Sequence, residues 1–135
     1  MPHIFGSEPR LIGARLDALF FESFIADGEV VSPINVVYFK VKGAWSRLVL
    51  DAGTVHWRVQ DSEPKSWASP QEGWEYPVRD AGSSYGLVGA EICDTRTLDT
   101  PGGIRFEVAF KDGRRAIFQN YLDYTSFELL PGGKS

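Results

Sequence analysis

Few side chains in this sequence are suited to covalent chemistry, and none has a partner at a useful spacing. There are two histidines and one cysteine. His3 stands in the N-terminal tail, and His56 lies beside Thr54 and Arg58 on what alternation makes the outer face of a strand. A zinc site needs a second imidazole or thiolate at ligand spacing, and neither histidine has one. Cys93 would be a nucleophile only if folding carried His56 to it; a lone thiol in a strand is expected to be buried and inert. Glu72 and Glu75 resemble an acid–base pair, but no apolar pocket separates their pKa values, so they read as solvated. Gly82, Gly86 and Gly89 lack the spacing and the strand–loop–helix setting of a phosphate-binding loop. Lys111, Arg114 and Arg115 make a small basic tip, too small for a nucleic-acid footprint. The expectation is a protein with no catalytic residue, no metal and no cofactor.

The residues better suited to recognition lie together in residues 60–86. This stretch holds Trp67 and Trp74, three prolines and several serines. Asp61, Glu63, Glu72, Glu75 and Asp80 outnumber Lys65 and Arg79 there, and this excess accounts for most of the chain's net charge of −4. A segment this long inside a compact domain is usually functional or mobile. Indoles left in water within it are expected to serve as interface anchors, with carboxylates around them steering a basic partner.

The elements on either side of that connector repeat. Residues 11–16 read LIGARL and residues 87–92 read LVGAEI, with Gly third, Ala fourth and an aliphatic residue sixth in both. Each is followed by a strand pattern ending in a charged-Gly turn: Val36 to Val41 before Lys42-Gly43, and Ile104 to Lys111 before Asp112-Gly113. Further strands follow at Arg47 to Leu50 and Ala116 to Gln119, and again at Val55 to Val59 and Ser126 to Leu130. The chain thus reads as a single domain, 1–135, with an internal repeat, 11–59 and 87–130, joined by the connector 60–86. The fold expected is mainly β: two antiparallel motifs forming a sandwich or a half-open barrel.

Alternation gives finer expectations. Ile104, Phe106, Val108 and Phe110 face one way; Arg105, Glu107, Ala109 and Lys111 face the other. A two-residue turn at Asp112-Gly113 would put Phe118 on the wet face. A three-residue loop, 111–113, pairs Phe110 with Arg114, Val108 with Ala116 and Phe106 with Phe118, so the apolar pattern selects it, with Gly113 left-handed. Val55, Trp57 and Val59 are expected to face inward. Residues 11–25 fit a helical stripe nearly as well as a strand, and the threonine-rich ICDTRT at 92–97 favours the strand.

Length and composition set the frame. The 135 residues suffice for one core without a disulfide, which a lone cysteine cannot form within the chain. No apolar run suggests a signal or a membrane span, so a cytoplasmic setting is expected. The acidic balance argues against nucleic acid as a partner.

The L-x-G-x-x-L/I strand openings, the turn Phe110-Lys111-Asp112-Gly113, and Asn120 and Asp123 before a short last strand resemble small bacterial immunity proteins encoded beside polymorphic toxins of contact-dependent, Rhs and type VI systems. The first copy departs from that pattern, with Lys42-Gly43 in place of Asp-Gly. The resemblance implies a cytoplasmic inhibitor that binds a cognate toxin domain and occludes its active site. It implies no catalytic residue. The alternative is a small-molecule-binding β-barrel protein or enzyme, which requires inward polar groups to orient a ligand.

Overall fold

Alternating apolar residues become two packed sheets in a computed structural model that describes residues 2–132. The first half supplies strands β2 (Leu16–Ala26), β3 (Glu29–Val41), β4 (Ala44–Asp51) and β5 (Thr54–Gln60) as an antiparallel meander. The second half supplies β9 (Ile92–Thr100), β10 (Gly103–Phe110), β11 (Arg115–Tyr121) and β12 (Tyr124–Leu130) in the same order. The first sheet is widened at both edges. On one side β1 (His3–Phe5) runs parallel to β5. On the other, β2 takes β7 (Trp74–Tyr76), which carries β6 (Trp67–Ser69), and also pairs β8 (Val78–Asp80). A four-residue helix, α1 (Ala81–Ser84), follows.

The layers meet through aromatic rings. Phe106 lies 5.4 Å from Trp57 and 6.2 Å from Phe39, while Phe118 lies 5.8 Å from Phe21. These side chains, with Leu19, Leu48, Ile104 and Val108, fill the interior. The arrangement is a sandwich and not a closed barrel. Residues expected to alternate do so: Ile104, Phe106, Val108 and Phe110 are all buried. The three-residue loop also forms, with Val108 opposite Ala116, Phe106 opposite Phe118 and Gly113 at φ +96°. The Phe110 N–H donates to the Arg114 carbonyl at 2.9 Å.

The LIGARL and LVGAEI segments face each other. Gly13 N–H donates to the Ile92 carbonyl and Gly89 N–H to the Leu16 carbonyl, each at 2.7 Å. Leu16 N–H donates to Ala90 O, and Ile92 N–H to Ala14 O. Arg15 bridges Glu91 between them. Every bond has its counterpart under exchange of the two segments, so a local two-fold axis passes between Arg15 and Glu91. Both glycines sit at φ +88°, which costs other residues strain, and this sharp turn lets each segment reach the other. Residues 16–26 are strand, not helix, with register shifts that let the long strand bend.

Three expectations need correction. Val59 shares the inward side of β5 with Val55 and Trp57 but is 81% exposed, because it lies at the strand's end, beyond the cover of the second sheet. Cys93 is exposed, because it points away from the core beside buried Ile92. The connector is not a structureless strap: it contributes three strands and α1. No helix among the described residues is long and apolar enough to cross a membrane.

Candidate functional site

The connector's path follows from the strand order. β5 and β6 lie toward opposite ends of the first sheet, and the inner face is occupied by the second sheet. Residues 61–66 therefore pass over the outer face, where Pro64 is buried. On that face the outward-facing Val36, Tyr38 and Trp45 are buried as a second small cluster, packed by Ala18, Phe20 and Val49.

The strap ends in a hairpin that presents the two tryptophans. Trp67 pairs with Tyr76, Ser69 with Trp74, and β7 adds to the far end of β2 through Ile25–Glu75 and Ala26–Trp74. The hairpin is pinned by Asp27 N–H, which donates to Gly73 O at 2.8 Å. The rings form a ladder. Trp67 stacks on Tyr76 at 4.1 Å, Tyr76 on Phe24 at 5.0 Å, and Trp74 meets the Phe24 ring at 5.8 Å, edge to face. Trp67 remains 54% exposed and Trp74 38%. The ladder supports the indoles without covering them.

The acidic residues divide into two groups. Asp80 caps α1, accepting from the Ser83 N–H at 3.0 Å and the Ser83 hydroxyl at 2.8 Å. Glu72 accepts from the Ser69 hydroxyl within the hairpin turn. Asp61, Glu63 and Glu75 are exposed along the strap and β7. Tryptophans and three of the five carboxylates are thus available on one connector, while two carboxylates serve its local structure.

Under the strap lies a polar group that alternation alone did not single out. Glu22 and Tyr38 are each only 6% exposed, and the Tyr38 hydroxyl donates to Glu22 Oε1 at 3.2 Å. Burial pushes the Glu22 carboxyl above its ordinary value, against hydrogen bonds from Tyr38, Asn35 and Trp67 and the attraction of Arg47. Burial and then the Glu22 charge push the Tyr38 phenol up to about 12. Strand register continues the row: Tyr38 is opposite Arg47, and Arg47 is opposite Arg58. Next to them is an open hollow of about 380 Å³ lined by Arg47, Val49, Asp51, His56 and Arg58. His56 is half-buried here, with Phe5 stacked on its ring at 4.9 Å and Thr54 Oγ1 2.8 Å from Nε2.

The remaining candidates are accounted for by local partners. Arg114 binds Asp112 and donates to Gly86 O at 2.8 Å, and its guanidinium holds the Asp112 carboxyl below the usual range. Arg115 and Arg105 both reach the buried Glu107 on the outer face of the second sheet. Both arginines of the basic hairpin tip are therefore held in ion pairs. Cys93 and His56 stand on different sheets, and no cluster of three metal-ligating side chains occurs among the described residues. Glu22, Tyr38, Arg47 and Arg58 come one each from the four strands β2 to β5, and no linear spacing unites them. The one available signal was that Glu22 and Arg47 point outward on strands between apolar outward neighbours, Phe20 and Phe24 for the first and Trp45 and Val49 for the second. No family model, curated protein or solved structure matches this chain.

Proposed function

We propose that this protein is a non-catalytic protein-binding module of the bacterial cytoplasm, an immunity protein that neutralises a cognate toxin by covering its active site. The observation that supports this reading is the Trp67–Tyr76–Phe24–Trp74 ladder, with two indoles held exposed on a short edge hairpin. Large apolar rings pre-positioned by stacking lose little conformational freedom on binding, which is what a hot-spot residue requires. Glu75 beside them on β7, with Asp61 and Glu63 further back along the connector, supplies exposed negative charge suited to steering a basic toxin domain. The barrel alternative has less support, since aromatic side chains fill the interior where a ligand would lie.

The test is co-expression with the toxin encoded beside this gene. Growth is restored by the wild-type protein, and purified toxin binds it. Trp67→Ala and Trp74→Ala each weaken binding by about 2 kcal/mol or more while circular dichroism stays unchanged, because both rings lie outside the main core. No rescue by the wild type rejects the immunity role. Losses under about 1 kcal/mol for both variants remove the ladder from the interface.

A further inference from the structure

The hollow beside the strap has a feature that the protein's own side chains leave unresolved. Arg47 and Arg58 stand directly opposite each other on β4 and β5. Like charges in that position repel, and strand pairs normally avoid them. Arg47 Nε is buried and finds no acceptor among the described residues. A buried donor on a charged group without a partner costs more than a neutral one. Glu22 attracts Arg47 from the strap side but leaves this nitrogen unmatched. His56 faces the same hollow, and its ring is already oriented by Phe5 on one side and Thr54 at Nε2.

We infer that the hollow formed by Arg47, His56 and Arg58 is a binding site for the oxyanion group, phosphate or carboxylate, of a small molecule. A single oxyanion between the two guanidiniums would turn their repulsion into two charge-assisted interactions. Guanidinium forks match the geometry of phosphate and carboxylate oxygens, which a chloride ion cannot reproduce. Val49 contributes an apolar wall, and about 380 Å³ accommodates a molecule larger than the anion itself. Asp51 also lines the hollow and disfavours an anion on its side, so the oxyanion belongs between the arginines and the non-anionic part of the ligand near Asp51. The site is separate in composition from the acidic connector: the chain is acidic overall, yet this patch is cationic.

The test is titration of the full-length protein with sodium phosphate and, separately, sodium citrate, with ionic strength held constant by sodium chloride. Arginine Nε–Hε resonances and thermal unfolding provide the readouts. Saturable shifts at Arg47 and Arg58 with a rise in Tm are expected. Saturation by phosphate alone assigns a phosphate group, and by citrate alone a carboxylate. Arg58→Ala, at an exposed position, weakens binding about tenfold, the loss of one charge-assisted hydrogen bond. Arg47→Lys keeps the charge but removes the fork and the unmatched N–H, and weakens binding to a similar degree. Arg105→Ala, on the other sheet, leaves affinity unchanged. Changes that follow ionic strength without saturating for both anions overturn the proposal, as does undiminished affinity in both Arg58→Ala and Arg47→Lys.

Discussion

At the scale of single residues, the unusual pair is Tyr38 and Glu22, both outward on the first sheet yet buried beneath the strap. Burial favours the uncharged form of each, and Glu22 adds its negative charge against ionisation of the phenol. The sign of the resulting pH dependence follows directly. Tyr38 binds its proton more tightly folded than unfolded, so the stability it contributes is full below pH 10.0 and disappears as pH rises to about 12. Glu22 is displaced in the same direction: its contribution is full below the unfolded carboxyl value and declines as pH rises through the folded one. Near-ultraviolet phenolate absorbance should therefore resolve one of the five tyrosines ionising near 12, and Tyr38→Phe should remove that component. A normal titration of all five would mean that the strap does not exclude water from the pair.

At the scale of elements, the paired LIGARL and LVGAEI turns tie the start of β2 to the start of β9. Leu11 and Leu87 are buried, as are Leu16 and Ile92, so each turn carries an apolar residue into the core from equivalent positions. Neither glycine has an atom within 4 Å of where a Cβ would stand. Substitution at either is therefore limited by backbone strain alone. Gly13→Ala and Gly89→Ala should each destabilise by about 1–2 kcal/mol in urea unfolding, and by similar amounts, because both adopt φ +88°. Strongly unequal losses would mean that the symmetric hydrogen bonding does not reflect equal local conformations. Gly103 differs: a Cβ there would approach the Asn120 carbonyl oxygen to 1.7 Å, so its constraint is close strand approach.

At the scale of the whole molecule, the two sheets share one interior, and neither buries its apolar face without the other. Phe106 stands at that junction, near Phe39, Trp57 and Phe118. Phe106→Ala should cost about 3–5 kcal/mol and lower the denaturant midpoint of a single transition seen identically by tryptophan fluorescence and far-ultraviolet circular dichroism. Separate transitions for the two probes would mean that the halves fold independently. The same architecture separates the two surfaces of interest. The aromatic hairpin widens one edge of the first sheet, while the cationic hollow lies over its β4–β5 side.

Strand content, the bulged hairpin at 111–113 and the inward row of β10 were legible in the sequence because a strand's period of two exposes its faces directly. Exposure of the tryptophans was only an expectation, since nothing local decides whether a ring folds back onto a sheet. Tertiary structure decided the rest. It ordered the connector by giving its backbone the free edge of β2. It also carried residues 61–66 over the outer face, where Glu22 and Tyr38 are buried, while the register of the β4–β5 hairpin set Arg47 against Arg58. Periodicity reports which way a side chain points from its own strand. What lies over that face depends on strand order and on the route of a crossing segment, and these are set by contacts distant in sequence.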